Sequence, residues 1–209
     1  MKFLIVDDHA VIRRGLKQIL LEEFPTAMIA EAEDAEIVIS SCLSNDWDVV
    51  ISDLSMPGRS GLDIVYAMKQ NCPKVPVLIL SIHAQEQYAY RAFKAGAAGY
   101  LSKGAAPEEL VKAVQRVLQG RKYISSSLAE KLANELGNKN GNKEAHELLS
   151  DREFDVFTLL ASGVSVSKIA ETLSLSITTV STYRSRILTK MDMKSNADLT
   201  RYAINKTLI

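Results

Sequence analysis

The sequence of 209 residues contains only two cysteines, Cys42 and Cys72. They lack CxxC spacing and have no other metal-ligating residues beside them, so nothing indicates a disulfide framework or a zinc site. Two reduced thiols in a reducing compartment are the simplest interpretation.

Long hydrophobic runs are also missing. No stretch reaches the roughly 18 apolar residues of a membrane span. The N-terminus, MKFLIVDDHA, reaches two acids before a signal-peptide core can form. We therefore expect a cytoplasmic protein without membrane contacts.

An excess of either charge is absent as well, since 25 Lys and Arg residues balance 25 Asp and Glu residues. This balance argues against a strongly basic nucleic-acid-binding protein, although an average over the chain can hide a local patch. One short segment is basic, with four cations against a single acid: Arg184, Arg186, Lys190 and Lys194 against Asp192.

The first 120 residues alternate short apolar runs with segments of helical period, which indicates βα units around a parallel sheet. The predicted strands cover residues 3–6, 27–32, 48–52, 75–80 and 97–101. The predicted helices cover residues 10–22, 34–44, 60–70, 85–95 and 107–119. We predict an α/β fold for residues 1–120, in which five βα units form a doubly wound parallel sheet.

Residues 121–145 are predicted to form a linker. The spacing of Leu128, Leu132 and Leu136 predicts a short amphipathic helix. The sequence GNKNGNKEA, residues 137–145, has the composition of a flexible loop.

Residues 146–209 show helical patterns only and are predicted to form a small all-α domain. Ser150 and Glu153 stand in the register of a capping box at the start of its first helix. Further helices are predicted over residues 166–173, 177–191 and 196–208.

Acidic residues end two strands that are neighbours in the predicted sheet. With the strand order 2-1-3-4-5, the loops after strands 1 and 3 diverge and leave a crevice at their carboxyl ends. Asp7 and Asp8 follow strand 1, and Asp53 follows strand 3 in the run VVISDLSMPG. Three carboxylates this close repel one another unless a cation is present, and open oxygen ligands suit Mg²⁺. We interpret His9 as a residue of the rim.

Strand 4 ends at Ser81 and strand 5 is followed by Lys103, which adds a hydroxyl and an ammonium to the same edge. A carboxylate nucleophile, a divalent metal and a cation are what phosphoryl transfer to an aspartate requires. We therefore predict that Asp53 attacks phosphorus, while Mg²⁺ and Lys103 neutralise the phosphoryl oxygens.

These motifs, with DLSMPGRSG around the acid and GAAGYLSKG before the cation, resemble a response-regulator receiver domain over residues 1–120. The resemblance implies that Asp53 is the phosphoacceptor. It also implies that Asp8, Asp53 and the Ser55 carbonyl bind Mg²⁺ directly, with Asp7 acting through water.

The resemblance further implies that Lys103 pairs with the phosphoryl group. Ser81 and Tyr100 match the switch pair of this family, in which the hydroxyl moves toward the phosphate and the aromatic ring turns inward behind it.

In the helical domain, two predicted helices with a short link fit a helix-turn-helix, whose second helix enters the major groove of DNA. Residues 148–208 resemble a LuxR-type DNA-binding domain, and with the receiver they resemble the NarL/FixJ family of transcription regulators. The resemblance implies three partners: a sensor histidine kinase, double-stranded promoter DNA and, when phosphorylated, a second copy of the chain in a homodimer.

The second helix of this pair has two distinct sides. An inward stripe is predicted for Ile177, Val180, Ile187, Leu188 and Met191. The opposite stripe must then face the groove, and its small hydroxyl groups discriminate weakly between bases: Thr178, Ser181, Thr182 and Ser185. Contacts to phosphates or flanking bases are expected from Tyr183, Arg184, Arg186 and Lys190. We expect modest base readout per monomer, with dimerisation and DNA shape supplying much of the specificity.

Three other functions fit parts of the pattern. An aspartyl-phosphate hydrolase usually has a second acid two residues after its nucleophile, where this chain has Ser55. Such a hydrolase also has a substrate-binding cap, which is not expected in this chain. A protein that binds DNA without phosphorylation would keep the receiver only for dimerisation. A LuxR-type sensor of a small molecule needs a ligand cavity, for which a core of Val, Ile and Leu leaves little room. We expect no enzyme activity beyond Mg²⁺-dependent self-phosphorylation and autodephosphorylation at Asp53.

Overall fold

The structure, a computed structural model, describes residues 1–41, 46–82, 86–126, 128–130 and 144–209. Contacts divide the chain into two units, Met1–Leu136 and Gly137–Ile209. Within the described residues, no helix combines the length and apolar character that crossing a membrane requires.

The first unit is a parallel sheet with helices. Its strands are β1 (Lys2–Val6), β2 (Met28–Ala32), β3 (Val49–Asp53), β4 (Val77–Ser81), β5 (Gly99–Ser102) and β6 (Tyr123–Ile124). Its helices are α1 (Ala10–Glu23), α2 (Ala35–Ser41), α3 (Gly61–Asn71), α4 (Glu86–Ala95) and α5 (Pro107–Leu118). The strand order is β2-β1-β3-β4-β5-β6. The order of the first five confirms the predicted doubly wound fold.

The core of the first unit explains why the central strands are so apolar. Every residue of β3 and β4 is buried, as expected where helices cover both faces of a parallel sheet. One side of the sheet packs against α1 and α5 through a cluster that includes Phe3, Ile5, Leu20, Val49, Ile51, Leu78, Leu110 and Val114. This packing places the last residue of β3, Asp53, at the carboxyl edge of the sheet.

The sixth strand corrects the prediction of a five-stranded sheet. Tyr123 and Ile124 lie in the segment assigned to the linker, and they pair in parallel with Gly99 and Tyr100 of β5. Two residues are too few to show a strand pattern in the sequence. The Tyr123 ring is buried, and its hydroxyl donates to Oε1 of Glu109 at 3.1 Å. A Cβ at Gly99 would lie 2.7 Å from Leu78 Cδ1 and 3.1 Å from the Tyr123 carbonyl oxygen, so a larger residue here would crowd the pairing.

Parts of the predicted linker lie outside the described residues. Residues 128–130 are helical, whereas Leu132 and Leu136 of the predicted connecting helix are not described. The same holds for residues 137–143 of the predicted loop and for residues 42–44 of the predicted second helix.

The second unit is helical, as predicted. A short 3-10 helix (Ala145–Leu148) precedes α6 (Asp151–Ala161), α7 (Val166–Thr172), α8 (Ile177–Lys190) and α9 (Asn196–Asn205). The predicted capping box is confirmed, because Ser150 Oγ accepts from the Glu153 backbone and the Glu153 carboxylate accepts from the Ser150 backbone. Buried residues from all four α-helices form its core, among them Phe154, Phe157, Leu160, Ile169, Val180, Ile187 and Leu199.

The link between α7 and α8 is a sharp turn. Ser174 adopts a left-handed φ of 53°, and the next amide, that of Leu175, donates to the Ala170 carbonyl at 2.8 Å. This is a Schellman-type ending with serine at the position that usually favours glycine. It stops α7 and lets α8 start at a new angle, as a helix-turn-helix requires.

Candidate phosphorylation pocket and DNA-binding face

The predicted acids meet at the carboxyl edge of the sheet. Asp53 ends β3 and Asp7 follows β1 directly, on strands whose register places Val6 beside Ser52. Both carboxylates are buried, with Asp53 4% exposed and Asp7 fully covered. One ligating atom from each of Asp7, Asp8, His9 and Asp53 lies within 4.8 Å of the others.

Lys103 joins the two buried acids. Its Nζ lies 2.7 Å from Oδ2 of Asp7 and 2.7 Å from Oδ2 of Asp53. Its backbone amide donates to the Ser81 carbonyl at 2.8 Å, which fixes the loop after β5 against the end of β4. One ammonium therefore forms ion pairs with two buried carboxylates.

Burial and charge shift the acidity of this pair. Burial raises the pKa of Asp53, the contacts with Lys103 oppose this rise, and the charge of Asp7 adds to it. For Lys103, burial lowers the pKa, but the hydrogen bonds to Asp53 and Asp7 outweigh burial, so its pKa is raised. Lys103 therefore stays charged at neutral pH, and Asp53 holds a proton more tightly than an exposed aspartate does.

The backbone around Asp53 fixes the direction of its carboxylate. The Ser55 amide donates to Oδ1 at 3.2 Å, so both oxygens of Asp53 are held, one by Ser55 and one by Lys103. Behind the acid, a Cβ at Gly61 would overlap the Asp53 carbonyl oxygen. Gly61 belongs to the site but was not predicted from the sequence, where its only signal is its place directly after Ser60, which caps α3.

The rim of the pocket is more exposed. The Asp8 side chain is 28% exposed and that of His9 is 65% exposed, which agrees with the rim position expected for His9. His9 Nδ1 lies 2.8 Å from Oδ1 of Asp8 and 3.3 Å from Oδ1 of Asp7. The His9 amide also donates to Asp7 Oδ1 at 2.8 Å.

Ser81 and Tyr100 are both buried beside this pocket. The pKa of Tyr100 is raised to about 12, mainly by burial. A hydrogen bond with the Ser81 side chain lowers this pKa, and the charge of Asp53 raises it. The two predicted switch residues therefore contact each other, and the Tyr100 ring is turned inward in this structure.

The predicted groove face of α8 is open to solvent, since Thr178, Ser181, Thr182 and Ser185 are all exposed. On the opposite side, Val180, Ile187 and Met191 are buried as predicted, and Leu188 is half-buried.

The prediction for Ile177 is wrong, because its side chain is 56% exposed. It is the first residue of α8 and lies about 60° around the helix axis from Val180, at the border of the buried stripe.

The remaining predicted DNA contacts differ in their surroundings. Arg186 is exposed and Tyr183 is half-buried. Arg184 donates through Nε to Oδ1 of Asn196 at 2.7 Å, and Lys190 donates through Nζ to Oε2 of Glu153 at 2.7 Å. Contacts of these residues with DNA stay predictions.

The acidic pocket and the doubly wound sheet, followed by a helix-turn-helix unit, define the class as a response regulator with its own DNA-binding unit. Residues 3–115 match the response regulator receiver domain, and residues 147–203 match the bacterial regulatory proteins of the luxR family. The chain belongs to the NarL/FixJ family of response regulators.

Relatives resemble the chain along its whole length. It is 35% identical to the response regulator UvrY of Escherichia coli over 205 residues, which cover 98% of this chain and 94% of that protein. It is 36% identical over 216 residues to the oxygen regulatory protein NreC of Staphylococcus epidermidis, covering 100% of this chain and 99% of that protein. In structure it resembles RcsB of Salmonella enterica serovar Typhimurium bound to promoter rprA with the phosphomimetic BeF₃⁻. That match has 26% identity and a TM-score of 0.66, and it covers 97% of each chain.

Proposed function

We propose that this protein regulates transcription through DNA binding that is switched on by phosphorylation of Asp53. The observation that carries the proposal is the Lys103 ammonium, 2.7 Å from the buried carboxylates of Asp7 and Asp53. A fixed cation beside a buried nucleophile stabilises the charge of a transferred phosphoryl group. The RcsB relative, bound to promoter DNA with a phosphomimetic, supports the link to DNA.

The acids of the pocket fit a magnesium ion. Mg²⁺ prefers oxygen ligands and keeps several waters, and the carboxylates of Asp7, Asp8 and Asp53 each bring an oxygen within 4.8 Å of the others. Asp8, Asp53 and the Ser55 carbonyl would hold the ion directly, and Asp7 would act through water. When bound, the ion supplies positive charge to the phosphoryl oxygens.

Transfer makes one bond and breaks one. An oxygen of Asp53 forms a bond to phosphorus while the bond from phosphorus to the donor breaks, and the donor keeps the electron pair. The donor is the phosphohistidine of a sensor kinase or a small acyl phosphate. Lys103 neutralises the incoming oxygens, and later attack of water on phosphorus restores the Asp53 carboxylate as autodephosphorylation.

The phosphoryl group adds a charge of about −1.5 to −2, which attracts the Ser81 hydroxyl. The Tyr100 ring is already buried, and the Tyr100 side chain is hydrogen-bonded to that of Ser81. We therefore expect phosphorylation to change the hydrogen-bond partner of Tyr100. The phosphorylated chain then pairs as a homodimer and presents α8 to promoter DNA. The contacts proposed for its exposed side are those of Ser181, Thr182, Ser185 and Arg186, with Tyr183 at its border.

The test compares wild type with Asp53→Asn, each with Mg²⁺, before and after treatment with acetyl phosphate. Intact mass reports phosphorylation, mass in solution reports dimerisation, and titration of a duplex selected from random sequence by the treated wild type reports DNA binding. We expect wild type alone to gain a phosphoryl group, to dimerise and to bind the duplex more tightly. Equal DNA binding by both proteins under all conditions would contradict control by Asp53.

A further inference from the structure

We propose that Glu153, through Lys190, positions α8 for DNA, and that this buried carboxylate strengthens DNA binding although its charge has the wrong sign. The proposal rests on the DNA-binding function proposed above. It makes Glu153 and Lys190 positioning residues, and it reassigns Lys190 from the phosphate contact predicted from the sequence.

Glu153 connects the start of α6 to the end of α8. Its side chain is 5% exposed, and its Oε2 accepts from the Ser150 amide at 2.8 Å and from Lys190 Nζ at 2.7 Å. Lys190 is the last residue of α8, 37 positions later in the chain. The carboxylate therefore caps one helix and holds the end of another.

A second contact holds α8 from a different side. Arg184 donates through Nε to Asn196, the first residue of α9, at 2.7 Å. Arg184 and Lys190 are six residues apart, so they lie about 120° apart around the helix axis. Two contacts from two sides restrain both the rotation and the tilt of α8.

The Lys190 side chain is 43% exposed, and Glu153 accepts from its ammonium, which has three N–H donors. A DNA phosphate would compete with Glu153 for Lys190. Its departure would leave a buried carboxylate without its cation, and breaking a buried ion pair in this way is strongly unfavourable. Arg186 is exposed on the same helix, and its contact with a phosphate would not draw the cation away from Glu153. The phosphate contact is therefore assigned to Arg186, and Lys190 acts on DNA through the orientation of α8.

The sign of the charge separates this proposal from simple electrostatics. DNA binding depends strongly on cations that neutralise phosphates, so removal of an acid near the interface should by charge alone strengthen binding. If Glu153 orients α8, its removal should weaken binding. Glu153→Gln keeps the size of the side chain and an oxygen for the Ser150 amide, and it removes the charge that holds Lys190.

The experiment uses the full chain, treated with acetyl phosphate and Mg²⁺, as wild type, Glu153→Gln and Lys190→Met. Glu171→Gln is the matched control, because Glu171 is 71% exposed and pairs with Lys168 on α7. Affinity for the selected duplex and for a random duplex is measured over a salt series, at a temperature where circular dichroism shows every variant folded.

We expect Glu153→Gln and Lys190→Met to bind the selected duplex about tenfold more weakly. The random duplex should change little, and the salt dependence should stay that of wild type. Glu171→Gln should bind as tightly as wild type or more tightly. A loss confined to the selected duplex is not produced by a uniform loss of folded protein or of charge.

The proposal is overturned if Glu153→Gln binds the selected duplex as tightly as wild type. It is also overturned if Lys190→Met weakens both duplexes equally and lowers the salt slope by about 1, because that result assigns Lys190 to a phosphate. Lys190→Arg should retain the preference for the selected duplex, and it decides the question if either other variant fails to fold. A wild type that binds neither duplex contradicts the proposed function itself, and this proposal with it.

Discussion

Replacing the phosphoacceptor should stabilise the first unit although it abolishes phosphorylation. In Asp53→Asn, the buried pair of Asp7 and Lys103 becomes electrically balanced. At an effective dielectric constant of about 20, the attraction of Asp53 to Lys103 across 2.7 Å is worth roughly 6 kcal/mol. Asp7 lies no more than 4.8 Å away, so its repulsion costs at least roughly 3.5 kcal/mol. Burying the carboxylate costs several kcal/mol more. We therefore expect a net gain on the order of 1 kcal/mol, in agreement with the raised pKa of Asp53.

The gain should depend on pH with a definite sign. Because the pKa of Asp53 is higher in the folded state than in the unfolded state, its ionised form lowers stability above that folded pKa. The advantage of Asn is therefore complete above the pKa of the folded state and fades as the pH falls through it. Mg²⁺ should also shrink it, because the ion binds the folded wild type.

Urea unfolding followed by tryptophan fluorescence measures this effect. The single tryptophan, Trp47, lies in the first unit, so its emission reports that unit. Glu22→Gln is a control, since Glu22 is an exposed acid far along α1 from the pocket. A variant less stable than wild type at neutral pH, or an advantage indifferent to pH and Mg²⁺, would refute this electrostatic reasoning.

Four further outcomes are expected. Lys103→Met leaves two buried carboxylates without their ammonium and should cost about 3 kcal/mol by the same fluorescence assay, with more stability regained on adding Mg²⁺ than in wild type. Phe154→Ala removes a fully buried ring and should cost the second unit about 3–5 kcal/mol; circular dichroism should show the loss while the tryptophan transition stays unchanged. Tyr100→Phe should still gain a phosphoryl group by intact mass but show a smaller rise in DNA affinity. Burial raises the pKa of Glu153, but its hydrogen bonds to Lys190 and Ser150 outweigh burial and lower it below 4.5; the resulting stability is present at neutral pH and lost as the pH falls through the lowered pKa. An acid titration by circular dichroism in which Glu153→Gln keeps the full wild-type loss would contradict that assignment.

Most of the pocket could be predicted because it depends on strand order. Apolar runs locate the strands, and a doubly wound sheet brings the ends of β1, β3 and β5 to one edge, so Asp7, Asp53 and Lys103 had to meet. The shared position of the ammonium between both acids could not be predicted, because it depends on side-chain distances that strand order leaves open. Gly61 could not be predicted because its role is to leave room for a backbone oxygen, that of Asp53.

The second unit shows the same division. Helical period predicted which side of α8 is buried, and it failed only at Ile177, on the first turn, where the neighbouring helices do not cover the side chain. The period also placed Arg184 and Lys190 on α8, but it could not supply their partners. Asn196 and Glu153 lie 12 and 37 positions away, and no local pattern connects them.

The two residues of β6 also cover part of the outer edge of β5. An uncovered strand edge offers unpaired amides and carbonyls to other chains, and a very short outer strand is one of the ways in which proteins blunt such an edge. Because Tyr123 and Ile124 pair with Gly99 and Tyr100, the first half of β5 is not an open edge. A receiver fragment ended at residue 120 would strip this cover and leave an open template beside Tyr100. Such a fragment should aggregate at concentrations where one extended beyond Ile124 stays monomeric.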